Sequence, residues 1–325
     1  MKDKDGFYVV TGGAGFIGTN LTARLVYSGL RTKVIDNFST GRRENLASLE
    51  QNYGHALQVV EGDIRDLDFL QREFSHSQGI FHLAAIPSVE QSVREPLLCH
   101  EVNVTGTLNT FLAARDQGVP RVVFASSCAI YGDSEVLPKV EDMPDLCLSP
   151  YAAHKATGEQ YARLFYSLYG LKTFCLRYFN VYGPRQDPKS DYAAAIPRFI
   201  QRMLAAEPPI LFGDGQQTRD FIYVGDIVQA NLAALKAEAG FGEVFNIGTG
   251  KSRSLNELVS SLNQILGTSL AAQHAAPRPG DVRHSSALVD KAFRLLHFRS
   301  EMDFAEGLRH TLQWFQGKKE LHQYV

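Results

Sequence analysis

The feature that most constrains this chain is a glycine-punctuated turn near its start. Val9-Val10-Thr11-Gly12-Gly13-Ala14-Gly15-Phe16-Ile17-Gly18 reads as a strand end, a tight turn and a helix start. Gly12, Gly15 and Gly18 are spaced GxxGxxG. The first glycine permits the turn, the second lets backbone N–H groups approach a pyrophosphate, and the third allows close helix–strand packing. The helix N-terminus adds about half a positive charge beside the phosphates. Glycines also punctuate ordinary turns, so the motif gains meaning from its context.

That context is supplied by the next strand, which ends at Asp36-Asn37, with Asp36 18 positions after Gly18. A carboxylate there accepts hydrogen bonds from an adenosine ribose and repels a 2′-phosphate, so NAD is expected rather than NADP. The alternative is an aspartate in a surface turn. Arg42 and Arg43 lie nearby in sequence and would weaken the discrimination. Asp63-Ile64 follows the third strand, where adenine would lie.

Short apolar runs alternate with helical patterns. Candidate strands are 7–10, 33–35, 57–60, 80–83, 121–125 and 173–176, with helices starting near Phe16, Arg42, Leu67, Val102 and Pro150. Strands apolar on both faces suit a parallel sheet covered on both sides, and the alternation predicts a doubly wound parallel α/β (Rossmann) domain. Residues 1–180 form the expected dinucleotide-binding domain. After residue 180 the rhythm breaks at Gly183-Pro184 and Pro208-Pro209, so 181–325 is read as a smaller, mixed α/β substrate domain. A helix and strand near 226–248 are expected to return to the first domain. Ser254-Leu255-Asn256-Glu257 is a capping box opening a further helix.

The length of 325 residues agrees with two domains, and 44% apolar and 21% charged residues are ordinary for a globular protein. A net charge of −2 without a basic tail gives no reason to expect nucleic acid. The charged start, Met1-Lys2-Asp3-Lys4-Asp5, leads into no signal-peptide core, and no apolar run approaches a membrane span, so the cytoplasm is the expected location. Cys99, Cys128, Cys147 and Cys175 form no CxxC and are read as reduced thiols. The scattered histidines form no HExxH, and no metal site is expected.

Ser149-Pro150-Tyr151 begins a helix, with Ser149 as N-cap and Pro150 in the first turn. Lys155 is four residues after Tyr151, on the same face. A free phenol has a pKa of ~10, and bringing it to ~7 takes about 4 kcal/mol. An ammonium, a helix N-terminus and a cationic nicotinamide ring supply that together; Lys155 alone does not. With 13 tyrosines, about one chance YxxxK is expected, so the pattern also fits a surface ion-and-ring pair. Ser126-Ser127, at the carboxyl end of an apolar strand, would face the same cleft, or would merely cap the strand.

Glycine turn, strand-end serine and YxxxK in this order resemble the extended short-chain dehydrogenase/reductase family over nearly the whole chain. Within it, the chain is most similar to nucleotide-sugar 4-epimerases. The resemblance is carried by the glycine motif, by His82-Leu83-Ala84-Ala85 and by Ser149-Pro150-Tyr151-Ala152-Ala153-His154-Lys155. Leu176-Arg177-Tyr178-Phe179-Asn180-Val181-Tyr182-Gly183-Pro184-Arg185 and Arg219-Asp220-Phe221-Ile222-Tyr223-Val224 complete it.

The resemblance implies that Tyr151 is the general base, that Ser127 hydrogen-bonds the same sugar oxygen, and that Lys155 holds the nicotinamide ribose. Ala84, Ala85, Asn103 and Tyr178 would line the cofactor groove. Asn180, Arg219, Arg278 and Asp281 would bind the diphosphate and uridine, with Ser88, Ser126 and Ala195 also on the substrate side. Arginine forks suit a diphosphate and a carboxylate suits a ribose diol. A homodimer is implied through helices near Val102–Arg115 and Pro150–Tyr169.

Related 4,6-dehydratases carry an Asp-Glu pair after the strand-end hydroxyl residue. Here those positions are Cys128 and Ala129, which cannot act as that acid and base. Ala129 also departs from the second hydroxyl common in epimerases. Arg185-Gln186-Asp187-Pro188, Tyr192-Ala193-Ala194-Ala195-Ile196-Pro197 and Gly280-Asp281-Val282-Arg283-His284-Ser285 resemble bacterial UDP-N-acetylglucosamine 4-epimerases of surface-polysaccharide synthesis. Ser285 would leave room for an N-acetyl group where glucose-restricted enzymes are bulky, or would be a plain turn residue. The competing activities are a UDP-glucuronate 4-epimerase or decarboxylase, a net dehydrogenase that accumulates NADH, and a silent NAD-binding regulatory protein.

Overall fold

The structure is a computed structural model that describes residues 6–188, 195–277 and 282–317. The chain opens with β1 (Phe7–Thr11), α1 (Phe16–Tyr27), β2 (Thr32–Asp36), α2 (Glu44–Tyr53), β3 (Leu57–Glu61) and α3 (Leu67–Phe74). β4 (Ser77–His82) leads into α4 (Val89–Arg94), α5 (Pro96–His100) and α6 (Gly106–Asp116), the last two joined by a π-helical stretch, Glu101–Thr105. β5 (Arg121–Ser127) ends in a short 3-10 turn, Cys128–Tyr131, and α7 (Pro150–Tyr169) precedes β6 (Lys172–Tyr178). β7 (Asn180–Tyr182), α8 (Ala195–Leu204), β8 (Ile210–Phe212), β9 (Thr218–Tyr223), α9 (Val224–Lys236) and β10 (Glu243–Ile247) follow. The remaining elements are β11 (Ser252–Ser254), α10 (Leu255–Leu266), β12 (Gln273–Ala275), α11 (Asp290–Leu296) and α12 (Phe304–Phe315).

Seven strands form one sheet in the order β10-β6-β5-β4-β1-β2-β3. Every neighbouring pair is parallel. This is the expected doubly wound sheet. All six candidate strands lie in it, and Val244–Ile247 joins as β10 beside β6. Adjacent residues of one strand serve opposite cores. Val10, Phe81 and Val123 pack with Leu21, Leu25 and Ile227 on one face. Val9, Ile80 and Val122 pack with Phe74, Phe111 and Phe165 on the other. The period of two, with both faces covered, is why these strands read as continuous apolar runs. Strand order reverses between β1 and β4, and the carboxyl ends there open a crevice.

Local sequence signals set the helix ends. Ser149 caps α7 by accepting from Ala152 N at 3.2 Å, Pro150 takes the first turn, and Gly170 ends the helix at φ 71°. Ser254 and Glu257 form the capping box of α10. The helix expected near Val102 begins earlier, because Pro96 starts α5 and the run continues through the π-helical stretch. β7, β9 and β11 form a second, mixed sheet, and β8 and β12 a third, packed with α8, α10 and α12 around Ile200, Leu258, Leu262 and Leu308. No helix among the described residues is long and apolar enough to cross a membrane, and none of their side chains form a metal-binding cluster.

Candidate active site

The glycine turn forms one wall of the crevice. Gly12 sits at φ 72°, and a Cβ there would come within 2.7 Å of Ala84 N. A Cβ on Gly18 would come within 2.1 Å of the Gly12 carbonyl oxygen, so α1 packs this closely only on glycine. α1 starts after Gly15 with no side chain capping it and no acidic residue in its first turn. The Gly15 N–H is spent on Gly12 O at 3.2 Å, but Phe16, Ile17 and Gly18, which also line the crevice, open the first turn with no side chain capping their amides, a fit for a dinucleotide pyrophosphate.

Asp36 and Asn37 line the crevice at the end of β2. The Asp36 carboxylate accepts from Ala14 N at 2.9 Å and Phe38 N at 2.8 Å, which ties the strand end to the glycine turn. Burial raises its pKa and those two bonds pull it back. Arg42 is paired with Asp187, and Arg43 lies 3.5 Å from Glu50, so both already face carboxylates. Asp63 and Ile64 also line the crevice. Arg65, with Asn37 helping, holds the Asp63 carboxyl down to about 2. Ser39 and Thr40 line the same region and escaped the sequence reading, because their loop carries no pattern of its own.

Ala84 and Ala85 line the crevice after β4. Asn103 does not; its amide grips the backbone of Ile86, accepting from N at 2.8 Å and donating to O at 3.0 Å. It supports the loop from behind, within the π-helical stretch. His82 is buried between Thr11 (2.8 Å) and Thr107 (3.0 Å). Thr107 donates to Asn103 O, so its oxygen accepts from His82 Nε2–H and Nδ1 accepts from Thr11. Burial, with the Lys155 charge, holds this imidazole neutral at about 3.

Tyr151 and Lys155 enter the same crevice from α7, and Tyr178 from the end of β6. Ser127 closes β5, and its hydroxyl lies within reach of the Tyr151 phenol. Lys155 Nζ donates to Ala125 O at 2.7 Å. Burial pushes the phenol up to about 12, with Ser127 opposing. Burial also brings the lysine down to about 8, with Glu159 opposing. The sequence suggested an acidified phenol. In the protein alone, desolvation exceeds the help of the Ser127 hydrogen bond, and the shift runs the other way.

Asn180, Arg219 and Ser285 are not among the residues lining this crevice; Asn180 Nδ2 lies 3.3 Å from Ser285 Oγ, and Ser285 is buried. Arg219 donates to Thr218 O at 2.9 Å and lies near Cys128, whose thiol burial pushes up to about 12. Ser88 caps α4 by accepting from Gln91 N, and the Ser126 hydroxyl is turned to Glu159. Ala195 begins α8. Arg278 and Asp281 lie outside the described residues.

The open helix end, the Asp36 carboxylate and the Tyr151 cluster share one crevice at a sheet switch point, which defines a dinucleotide-dependent α/β enzyme. A family model described as "NAD dependent epimerase/dehydratase family" matches residues 8–248, and the chain belongs to that family. It is 39% identical over 310 residues to a putative UDP-glucose 4-epimerase of Methanocaldococcus jannaschii, covering 95% of this chain and 98% of the relative. It is 34% identical to a UDP-glucuronate 4-epimerase of Thermodesulfobacterium geofontis, covering 97% and 98%. The structure of a UDP-N-acetylglucosamine 4-epimerase from Methanobrevibacter ruminantium, in complex with UDP-N-acetylmuramic acid, superposes with a TM-score of 0.91 at 39% identity, covering 97% and 100%.

Proposed function

We propose that this enzyme interconverts the C-4 epimers of a UDP-sugar, and that its preferred pair is UDP-N-acetylglucosamine and UDP-N-acetylgalactosamine, with UDP-glucose and UDP-galactose as further substrates. The observation that carries the reading is Tyr151, whose phenol stands beside Ser127 in the crevice of the glycine turn.

Tyr151 takes the proton of the sugar 4-hydroxyl, and Ser127 hydrogen-bonds the same oxygen. NAD, when bound, supplies a reversible hydride acceptor and a positive charge beside the phenol. Lowering the phenol from about 12 to ~7 needs about 7 kcal/mol, more than one neighbouring lysine gives. The Lys155 ammonium contributes to it and holds the nicotinamide ribose. With hydride removed from C-4 the sugar is a 4-keto sugar; it turns about the diphosphate linkage, C-4 regains hydride on its other face and Tyr151 returns the proton to the oxygen. The nucleotide is therefore the anchor, held by Asn180, Arg219, Arg278 and Asp281, while the sugar turns. Cys128 and Ala129 offer no acid–base pair for eliminating water. The small Ser285, beside Asn180, supports a pocket that admits an N-acetyl group.

We read the protein as a homodimer serving surface-polysaccharide synthesis. Exposed Leu97 on α5 and Leu168 on α7, 72% and 65% accessible, support partner contacts at these two helices. The glucuronate-epimerising relative keeps a uronate substrate as a second reading. Incubation with UDP-GlcNAc, UDP-Glc and UDP-GlcA separately, with products identified by NMR, tests all of this. The expected result is UDP-GalNAc formation without carbon dioxide release or accumulated NADH. Turnover of UDP-GlcA alone would replace the acetylated substrate by the uronate, and no epimer from any sugar would overturn the reading.

A further inference from the structure

The three residues that close β5 are each held by a different side chain of α7. Tyr151, Lys155 and Glu159 stand at i, i+4 and i+8, one stripe along the helix. Tyr151 faces Ser127. Lys155 donates to Ala125 O at 2.7 Å, and Glu159 Oε1 accepts from Ser126 Oγ at 2.5 Å. Glu159 is also gripped from β6, the neighbouring strand, by Arg177 Nε at 2.9 Å and Nη2 at 2.7 Å. The two side chains are 4% and 3% exposed. Arg177 reaches Asp145 at 3.2 Å and lies over the Tyr131 ring.

Resting on the proposed reaction, we propose that Glu159 is a positioning residue: it sets the register of α7 against the end of β5, and so the spacing of the Tyr151 phenol, the Lys155 ammonium and the Ser127 hydroxyl. Ser126 and Ser127 are successive strand residues, so any slip of the Ser126–Glu159 bond moves Ser127 with it. The reaction depends steeply on such placement. The carboxylate also acts on Lys155 by charge. Burial lowers the lysine, and Glu159, one turn away, favours its protonated form. The other groups near this ammonium do not share that task. His82 on β4 is held neutral, and Cys175 on β6 is held as a thiol by burial. Tyr151 is a neutral phenol, and His154 on α7 is lowered by burial and by the charges of His100 and Lys155. Arg177, left without Glu159, would push the lysine further down. Losing the carboxylate thus acts in one direction through both groups.

The variants are Glu159→Gln, which keeps length and an acceptor for Ser126 but removes the charge, and Ser126→Ala, which removes the hydroxyl and leaves the Arg177–Glu159 pair. Each is read by kcat and KM with UDP-GlcNAc, and by 15N NMR titration of Lys155 Nζ without substrate, assigned with Lys155→Arg. E159Q is expected to lower kcat by about 30-fold or more with KM within about threefold, and to move the Lys155 midpoint down by about one pH unit. S126A is expected to lower kcat by about fivefold with the midpoint unmoved. A folded E159Q with wild-type kcat and an unchanged midpoint overturns the proposal, even if it melts earlier. S126A with wild-type kcat overturns the register argument whether or not E159Q folds. Wild-type protein that epimerises no UDP-sugar sinks the reaction instead, and the substrate-free titration still decides the electrostatic role of Glu159.

Discussion

Lys155 Nζ donates a hydrogen bond to Ala125 O and stands 5.9 Å from the centre of the Tyr151 ring. That hydrogen bond anchors the lysine to β5, beside the Tyr151 ring. The buried ammonium carries a stability consequence. Its pKa falls from 10.5 to about 8 in the folded chain, so between those values the unfolded chain holds more protons. Stability from this residue rises with pH across that window. Lys155→Met cannot titrate, so wild type should gain on the variant by on the order of 3 kcal/mol between pH 8 and 10.5. Urea unfolding of both proteins at pH 7.5 and pH 10 measures the gain. A stability gap independent of pH would show that Lys155 is not desolvated as the structure places it. The variant should also lose nearly all turnover.

Asp36 bears on dinucleotide choice. Its two oxygens hold Ala14 N and Phe38 N, and the residue lines the crevice. Asp36→Asn removes the charge that favours a ribose diol and repels a 2′-phosphate, and its NH₂ leaves either Ala14 N or Phe38 N unpaired. A charge-assisted bond of about 1.5–3 kcal/mol corresponds to NAD binding weakened about 10- to 150-fold, with NADP weakened less. Arg42 and Arg43 are paired with Asp187 and Glu50, so Arg42→Ala should leave the NAD-to-NADP ratio unchanged. Calorimetric titration of cofactor-free protein with each dinucleotide checks both statements.

The sequence disclosed what local chemistry dictates. The glycine turn, the Ser149–Pro150 helix start, the Ser254–Glu257 capping box and the apolar strands each depend on neighbours within a few residues, and each is present as read. What stayed hidden depends on distant partners. The Asn103 amide is spent on Ile86 because a π-helical stretch turns it there, and no periodicity announces that stretch. The Ser126 hydroxyl is spent on Glu159 because β5 meets α7 there. The phenol's upward shift has the same origin, since YxxxK reveals the lysine but not the depth at which the pair is buried.

Asp220 ties β9 to the Thr249–Gly250 turn and to Ala287. One oxygen accepts from Thr249 N and Oγ1 at 2.8 and 2.6 Å, the other from Gly250 N at 2.9 Å and Ala287 N at 3.1 Å. An asparagine has one acceptor, so its NH₂ would face two donors. Turned to Gly250 and Ala287 the NH₂ strands two N–H groups; turned to Thr249 it strands one, since that hydroxyl can rotate to accept, so the cost should be about 1–3 kcal/mol. Asp220→Asn should therefore unfold at lower urea. Because Ala287 adjoins the Ser285 segment, KM for the UDP-sugar should rise more than kcat falls. A variant as stable as wild type would mean the loop pairs its amides elsewhere.

Ser285 bears on the proposed choice of sugar. Its Oγ lies 3.3 Å from Asn180 Nδ2, and its backbone N donates to Thr218 O at 3.1 Å, so β9 fixes its position. A tyrosine built there must project from that fixed backbone. The side chain is already buried, so a phenol ring must displace its neighbours, Asn180 first, and under the proposed reading it narrows the sugar pocket. An N-acetyl group needs that space and a hydroxyl does not. Ser285→Tyr should lower kcat/KM for UDP-N-acetylglucosamine by about 100-fold while changing that for UDP-glucose by less than about fivefold, a difference of about 2 kcal/mol, within the range a steric pocket gives. The two sugars must be compared in one preparation, so that any loss of folded protein cancels in the ratio. An equal loss for both would place the ring on the shared nucleotide path and remove Ser285 from sugar selection. No loss for either would mean the pocket wall lies elsewhere.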